Sequence, residues 1–255
     1  MPNPSGWSAT SSVPFSFNNA IDSLLGDTRW SNATVTYSFP GYGSSWSTNA
    51  FSGYGSSASD EPPWSASFAP LSNADKASFR AALSAWSGVA NMQFSETRDS
   101  PSGVGDIRAA YGYSADIANA EAAAYRPSNT SVAGDIWFNA FANIASSTWS
   151  AGSFSYLTVL HELGHALGLK HPFSDGATLP AALDNVSYTV MSYSAASGAP
   201  DSTLSFYPTT PMVLDIQALQ YAYGSNTASR AGNDVYAYND VATFHETIWD
   251  GAGND

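Results

Sequence analysis

His161-Glu162-Leu163-Gly164-His165-Ala166-Leu167-Gly168-Leu169-Lys170-His171 places three of the chain's four histidines within eleven residues. A spacing of four puts His161 and His165 on one face of a helix, with Cβ atoms about 5–6 Å apart, close enough to share one metal ion. Glu162 stands beside the first of them and can reach a water held on that metal. Gly168 lets the chain leave the helix sharply, so that His171 swings back as a third ligand. Three neutral imidazoles leave a zinc ion doubly charged, with an open position. The alternative is a helix that merely carries surface histidines. A match at every specified position of the extended zinc-helix pattern weighs against it.

The rest of the chain sets bounds on that site. Its 255 residues suffice for one large domain or two small ones, and 44% hydrophobic with 14% aromatic residues describe a globular protein. Acidic residues outnumber basic ones 21 to 8, a net charge of −13. Such a surface repels phosphate backbones and anionic lipids, so neither nucleic acid nor membrane is expected as a partner. Clustered carboxylates would instead suit a hard cation such as calcium. The absence of cysteine excludes thiolate metal sites, thiol catalysis and disulfides. Met1-Pro-Asn-Pro-Ser-Gly-Trp7 has no basic start and no apolar run, so no signal peptide is visible, and no segment is long enough to span a bilayer.

Local patterns organise the chain around the motif. Residues 1–16 are rich in Ser, Pro, Asn and Gly and are expected to form a loose arm. Asn18–Leu25 reads as a short helix ended by Gly26, and Val35–Phe39 as a strand stopped by Pro40-Gly41. The stretch from 41 to 70 is low in complexity and receives no assignment. Ser72 and Asp75 form a capping-box-like start for a helix that carries Phe79, Leu83 and Trp86 on one stripe. Three β-like runs follow at Met92–Thr97, Asp106–Tyr111 and Gly134–Asn139. Ala122–Arg126, closed by Pro127, suits an edge strand. Ser155–Gly168 is the motif helix, and Thr210-Pro211 starts a last helix over Met212–Tyr223. Two further β-like runs, Val235–Tyr238 and Thr243–Trp249, suggest that 225–255 opens a second, β-rich unit after a main domain over 17–224.

These residues carry a family resemblance. The zinc signature and Ser187-Tyr-Thr-Val-Met191-Ser-Tyr193 resemble the metzincins, and within them the serralysins, or alkaline proteases. The segments Val35–Pro40, Ala85–Asn91, Gly134–Asn139 and Thr210–Gly224 are similar to family segments as well. The resemblance implies an α+β metzincin catalytic domain, with a twisted five-stranded mixed sheet and long helices, followed by the start of a β-roll-type unit. It implies a secreted zinc endopeptidase acting on proteins or peptides, monomeric, subject to a proteinaceous inhibitor, and exported by a C-terminal signal outside this sequence. His161, His165 and His171 would hold zinc, with Glu162 as general base and acid. Met191 would form the floor of a Met-turn. Tyr193 would be an additional zinc ligand; its alternative is an ordinary buried phenol. Ala122, Ala123, Ala124, Tyr125 and Arg126 would pair with an extended substrate, unless they are a plain edge strand.

The same resemblance implies a calcium site where Arg230-Ala-Gly232-Asn-Asp234 meets Trp249-Asp250-Gly-Ala252-Gly-Asn-Asp255. Carbonyls of Arg230, Gly232, Asp234 and Ala252 would join the carboxylates of Asp250 and Asp255; two solvated polar turns are the alternative. Two functional rivals stand beside the protease. One is a silent binding or surface-layer module that keeps the fold and metal; the other is a latent protease covered by its N-terminal arm.

Overall fold

Val35 and Tyr37 alternate with half-buried Thr36, and this two-residue period sets one face of the strand into the core. The computed structural model describes residues 2–57, 59–174, 176–196 and 203–255. Its strands are β1 (Thr10–Ser12), β2 (Thr28–Trp30), β3 (Thr34–Ser38), β4 (Gln93–Glu96), β5 (Ile107–Gly112), β6 (Ala122–Ala124) and β7 (Asp135–Asn139). The α-helices are α1 (Asn19–Asp22), α2 (Asn73–Val89), α3 (Phe154–Ala166) and α4 (Val213–Tyr223). Five strands form one mixed sheet in the order β4-β3-β5-β7-β6, in which β6 alone is antiparallel and lies at the edge. The α+β architecture with a five-stranded mixed sheet is therefore as expected.

Helix α2 starts as its sequence dictates. Ser72 Oγ accepts the Asp75 N–H at 3.2 Å, and the Asp75 carboxylate accepts the Ser72 N–H at 2.9 Å. Its stripe of Phe79, Leu83 and Trp86 is buried, and the Trp86 indole donates to the Leu160 carbonyl at 3.3 Å. That contact sets α2 against α3, which is buried on nearly every side. Helix α4 begins differently from the sequence reading. Asp215, not Thr210, satisfies its first turn by accepting the Met212 N–H at 2.8 Å. The Thr210 hydroxyl accepts the Thr247 N–H instead.

Two expectations are corrected, and the unassigned 41–70 stretch finds its place. The opening arm is not loose: β1 pairs antiparallel with β2, and Asp22 accepts the Ser16 N–H at 2.8 Å. The 41–70 stretch is a lid on the outer face of the sheet, where Trp46 and Tyr54 pack with Trp137, Ala110 and Ile117 in a second apolar cluster. Beneath it the Arg108 guanidinium lies 3.5 Å from the Trp46 ring centre and pairs with Asp99 at 2.9 Å, both side chains buried. Finally, neither Val235–Tyr238 nor Thr243–Trp249 forms a strand among the described residues. Among the described residues no strand pairs with either run. The second run is held to the main domain, the Thr209 N–H donating to His245 C=O and the Thr247 N–H to the Thr210 hydroxyl, both at 2.9 Å, while in the first the Tyr238 hydroxyl donates to Glu246 of the second at 2.9 Å. Among the described residues no helix is long and apolar enough to cross a membrane.

Candidate metal centre and cleft

Ser153 caps α3 by accepting the Tyr156 N–H at 3.1 Å, so the helix runs uninterrupted beneath β6 to the motif. His161 and His165 sit one turn apart with ring centres 4.7 Å from each other. The helix ends where Leu169 N–H donates to Gly164 C=O at 2.9 Å and Gly168 adopts φ +105°. A Cβ on Gly168 would lie 2.6 Å from the Thr28 carbonyl oxygen, so the turn admits only glycine. Lys170 N–H then donates to Leu24 C=O at 2.8 Å, and the chain folds back. This brings His171 Nε2 to 3.1 Å from His161 Nε2 and 3.0 Å from His165 Nε2.

The protonation of these rings follows from their neighbours. His161 Nδ1–H donates to Val190 C=O at 2.8 Å, and His165 Nδ1–H to Leu169 C=O at 2.9 Å. A carbonyl only accepts, so in the neutral rings the Nε2 atoms of both carry lone pairs, and these converge. Burial, with the charge of His171, pulls His161 down to about 4. Burial pushes His165 well below the usual histidine value, and burial with the nearby Arg126 cation takes His171 to about 4. Three neutral donors crowded together are a metal set waiting for a cation. Tetrahedral zinc with bonds of about 2.0–2.1 Å needs N···N separations of about 3.3 Å, close to what is seen.

Glu162 is 5% exposed, and its Oε2 is buried with no hydrogen-bond partner among the described residues. Burial raises its carboxyl to about 8. An orphaned carboxylate oxygen is costly in a fold and points to a functional demand. The Tyr193 hydroxyl lies 2.9 Å from His171 Nε2, and the residue is 65% exposed. Met191 is fully buried against Gly164, where an added Cβ would come within 2.4 Å of its sulfur. One positioning residue was not singled out from the sequence. Buried Asp215 accepts from Thr189 Oγ1 at 2.5 Å and from Val190 N–H at 2.8 Å, as well as from the start of α4. It thus anchors the turn whose Val190 carbonyl orients His161. Its only sequence signal was an acid at the third position of a helix.

A cleft of about 660 Å³ runs from the histidines along β6 to Arg126, with Val13–Phe15 in its far wall. A second cavity, about 410 Å³, joins it at Ala122, His161 and Glu162 and is walled by Leu157, Val186, Val190 and Tyr207. Glu121 C=O accepts from Asn139 of β7 at 2.8 Å, and Tyr125 bonds through its N–H to Asp135 of β7 at 2.9 Å and through its C=O to Gly134, just before β7, at 3.0 Å. Residues of opposite parity, Ala122 and Ala124, therefore turn their backbone groups to the open edge. This narrows the expected pairing segment: Tyr125 has no free backbone groups, and its ring packs on Tyr54 with centres 6.1 Å apart.

In the tail, carboxylate oxygens of Asp234, Asp250 and Asp255 lie within 4.8 Å of one another. Asp234 Oδ2 is buried with no hydrogen-bond partner among the described residues. Gly253, at φ +133°, passes so close to Gly232 C=O that no side chain fits there. An all-oxygen set of this kind fits calcium rather than zinc.

Comparison with known proteins agrees with this geometry. The family model described as matrixin (peptidase M10) matches residues 69–194. The chain is 32% identical over 213 residues to a serralysin of Proteus mirabilis, covering 69% of this chain and 42% of the relative. It is 28% identical over 275 residues to a serralysin of Photorhabdus sp. strain Az29, covering 93% and 52%. It is 31% identical over 215 residues to metalloprotease AprA of Pseudomonas entomophila, covering 74% and 44%. The chain spans about half the length of the relatives it matches. Converging imidazoles, the matrixin match and these relatives together place the chain in the serralysin-type metzincins.

Proposed function

We propose that the chain is a zinc-dependent endopeptidase that cuts extended peptides laid along β6. The observation that carries this reading is the meeting of three Nε2 lone pairs with an unpartnered Glu162 carboxylate in one cleft. When bound by the three imidazoles, zinc would supply Lewis acidity, activating a water and polarising the scissile carbonyl. Glu162 is the residue that would accept a proton from the attacking water and hand it to the leaving amine. Tyr193, whose hydroxyl lies beside His171, would help to hold the zinc and would be placed to donate a hydrogen bond to the developing oxyanion. Ala122 and Ala124 hold the substrate backbone by strand addition, with the substrate antiparallel to β6. Its residue after the scissile bond then enters the 410 Å³ cavity, whose walls favour an apolar side chain.

Met191 acts as an apolar floor against Gly164, the role of a Met-turn. The tail carboxylates of Asp234, Asp250 and Asp255, joined by main-chain carbonyls of Arg230, Gly232 and Ala252, would take calcium and tie the tail together; the clustered, partly orphaned oxygens support this. Such an enzyme works outside the cell, exported by the C-terminal route of its kind. The intact Glu162 weighs against a silent binding module. Tyr193 is 65% exposed beside the histidines, and Val13–Phe15 form a wall of the cleft, which weighs against a covered, latent state.

Glu162→Gln tests the mechanism. Zinc content per chain should be unchanged, while casein or peptide turnover falls by about 10²–10⁴-fold. Full turnover in that variant would refute the role given to Glu162.

A further inference from the structure

The chain has eight Lys and Arg against 21 acids, yet two of those eight, Arg126 and Lys170, line the cleft of the histidines. Lys170 Nζ donates to Ala177 C=O at 2.9 Å. Arg126 is different. Among the described residues its guanidinium makes no hydrogen bond and no ion pair; the ion pairs there are Arg80–Glu96 and Arg108–Asp99. Among the described residues no acid along the cleft pairs with it. Asp22 is engaged by the Ser16 N–H and hydroxyl at 2.8 and 2.7 Å, and neither Asp27 nor Asp116 pairs with it.

Its position is built rather than incidental. Strand alternation puts Ala122 and Ala124 on the α3 side of the sheet, with Ala123 and Tyr125 on the other, so Arg126 continues the row facing α3. Tyr125 is bonded through its N–H to Asp135 of β7 and through its C=O to Gly134, just before β7, and the residue after Arg126, Pro127, accepts the Thr28 hydroxyl. The Arg126 side chain lies across Gly26, where an added Cβ would come within 3.1 Å of Nη1 and 3.5 Å of Cδ. The charge lies in the cleft of the histidines, beside Gly26, whose N–H bonds Gly168 C=O in the bend before His171.

Resting on the endopeptidase reading above, we infer that Arg126 is a specificity-determining residue that selects an aspartate or glutamate on the N-terminal side of the scissile bond. A peptide antiparallel to β6 runs its N-terminal residues toward the Arg126 end. Ala122 borders both cavities and marks the level of the cut. Arg126 is four residues further, about 13 Å along the strand, and its side chain lies at Gly26, which is bonded to Gly168 in the bend before His171. The residue it meets is therefore two to four places before the cut. A guanidinium offers a carboxylate two parallel hydrogen bonds, which a point charge does not. On a protein of net charge −13 this local cation is what admits an acidic side chain.

The test uses peptides that differ only in Asp, Ala or Lys at each of those three positions. Binding is measured by fluorescence anisotropy to zinc-loaded Glu162→Gln protein, and cleavage is measured with the parent enzyme. At one position the Asp peptide should bind about three- to tenfold tighter than its Lys counterpart. Arg126→Ala should erase that ratio, Arg126→Glu should reverse it, and Arg126→Lys should retain part of it. An Asp-to-Lys ratio unchanged in Arg126→Ala and Arg126→Glu overturns the inference while leaving the endopeptidase reading intact. Arg126-dependent binding with no cleavage of any peptide by the parent enzyme overturns the endopeptidase reading and leaves the subsite standing. Binding of none of the peptides overturns both.

Discussion

Gly164→Ala tests whether the floor of the metal site is a packed contact. The added methyl would sit 2.4 Å from Met191 Sδ and 3.4 Å from Trp86 Cζ2. Ordinary contact needs about 3.5–4 Å, so the sulfur must retreat by about 1 Å or more. Met191 is fully buried and has no solvent to retreat into. Overpacking of this kind costs about 1–3 kcal/mol, and the better helix propensity of alanine returns about 1 kcal/mol. The net loss is about 0–2 kcal/mol, so a single variant decides little. A double-mutant cycle does better. Met191→Ala alone should cost about 2–5 kcal/mol through the cavity it leaves. In the double variant the new methyl enters that cavity, and the loss should fall short of the sum by about 1–3 kcal/mol. Urea unfolding of the four metal-free proteins measures this. Zinc competition against a chelator gives a second reading. Val190 C=O, one residue before Met191, holds the His161 ring, and Gly164→Ala should weaken zinc binding about tenfold. Additivity within about 0.5 kcal/mol together with unchanged zinc affinity would show that the contact is not tight.

Further outcomes follow from the same geometry. Burial holds His161 near 4 against 6.5 in a free histidine. In metal-free protein its contribution is therefore fully present above pH 6.5 and lost as pH falls toward 4, because only the unfolded chain takes the proton there. The loss is about 3 kcal/mol. Glu162, raised to about 8, has the opposite sign, so the measurement is the stability difference between the parent and His161→Asn, which should shrink by that amount between pH 6.5 and 4. A constant difference would contradict the burial argument. Asp215→Ala strands the Val190 and Met212 N–H groups and the Thr189 hydroxyl. It should cost about 3 kcal/mol or more in urea unfolding, and a loss under about 0.5 kcal/mol would remove Asp215 from the support of the site. Calcium at about 100 times its Kd should stabilise the parent by about 2.7 kcal/mol in thermal melts. Asp234→Asn should lose most of that gain, and an equal gain in both proteins would argue against the tail cluster as its site.

What could be read from the sequence was whatever is local. The Ser72–Asp75 capping box, the Phe79–Leu83–Trp86 stripe and the His161–His165 pair are set by neighbours three and four residues apart, and each stands where expected. The bend at Gly168 was legible for the same reason, since one residue with positive φ suffices. Hidden features depend on distant partners. Strand β2 has three residues and exists only because β1 pairs with it. The Ser- and Gly-rich 41–70 stretch has no periodicity, yet Trp46 and Tyr54 find Trp137 some ninety places away, in a stack completed by Arg108. In the tail the alternation of Val235–Tyr238 was real, but alternation without a neighbouring strand yields no strand. Asp215 was invisible as a support because the donors it gathers lie 25 and 26 residues earlier.

The bend that delivers His171 is fastened almost wholly to the beginning of the chain. Lys170 N–H reaches Leu24 C=O, the Gly26 N–H reaches Gly168 C=O at 2.8 Å, and Thr28 C=O closes over Gly168. Two ligands thus come with a helix that forms locally, while the third is delivered only after some 140 residues of intervening chain have brought Leu24–Thr28 into place. Metal capture and docking of the first thirty residues are then linked equilibria, each strengthening the other by the same free energy. A chain still emerging, or one nicked near its start, would present a two-histidine site that binds metal weakly. Tight zinc uptake would mark the moment at which the two ends of the domain have met.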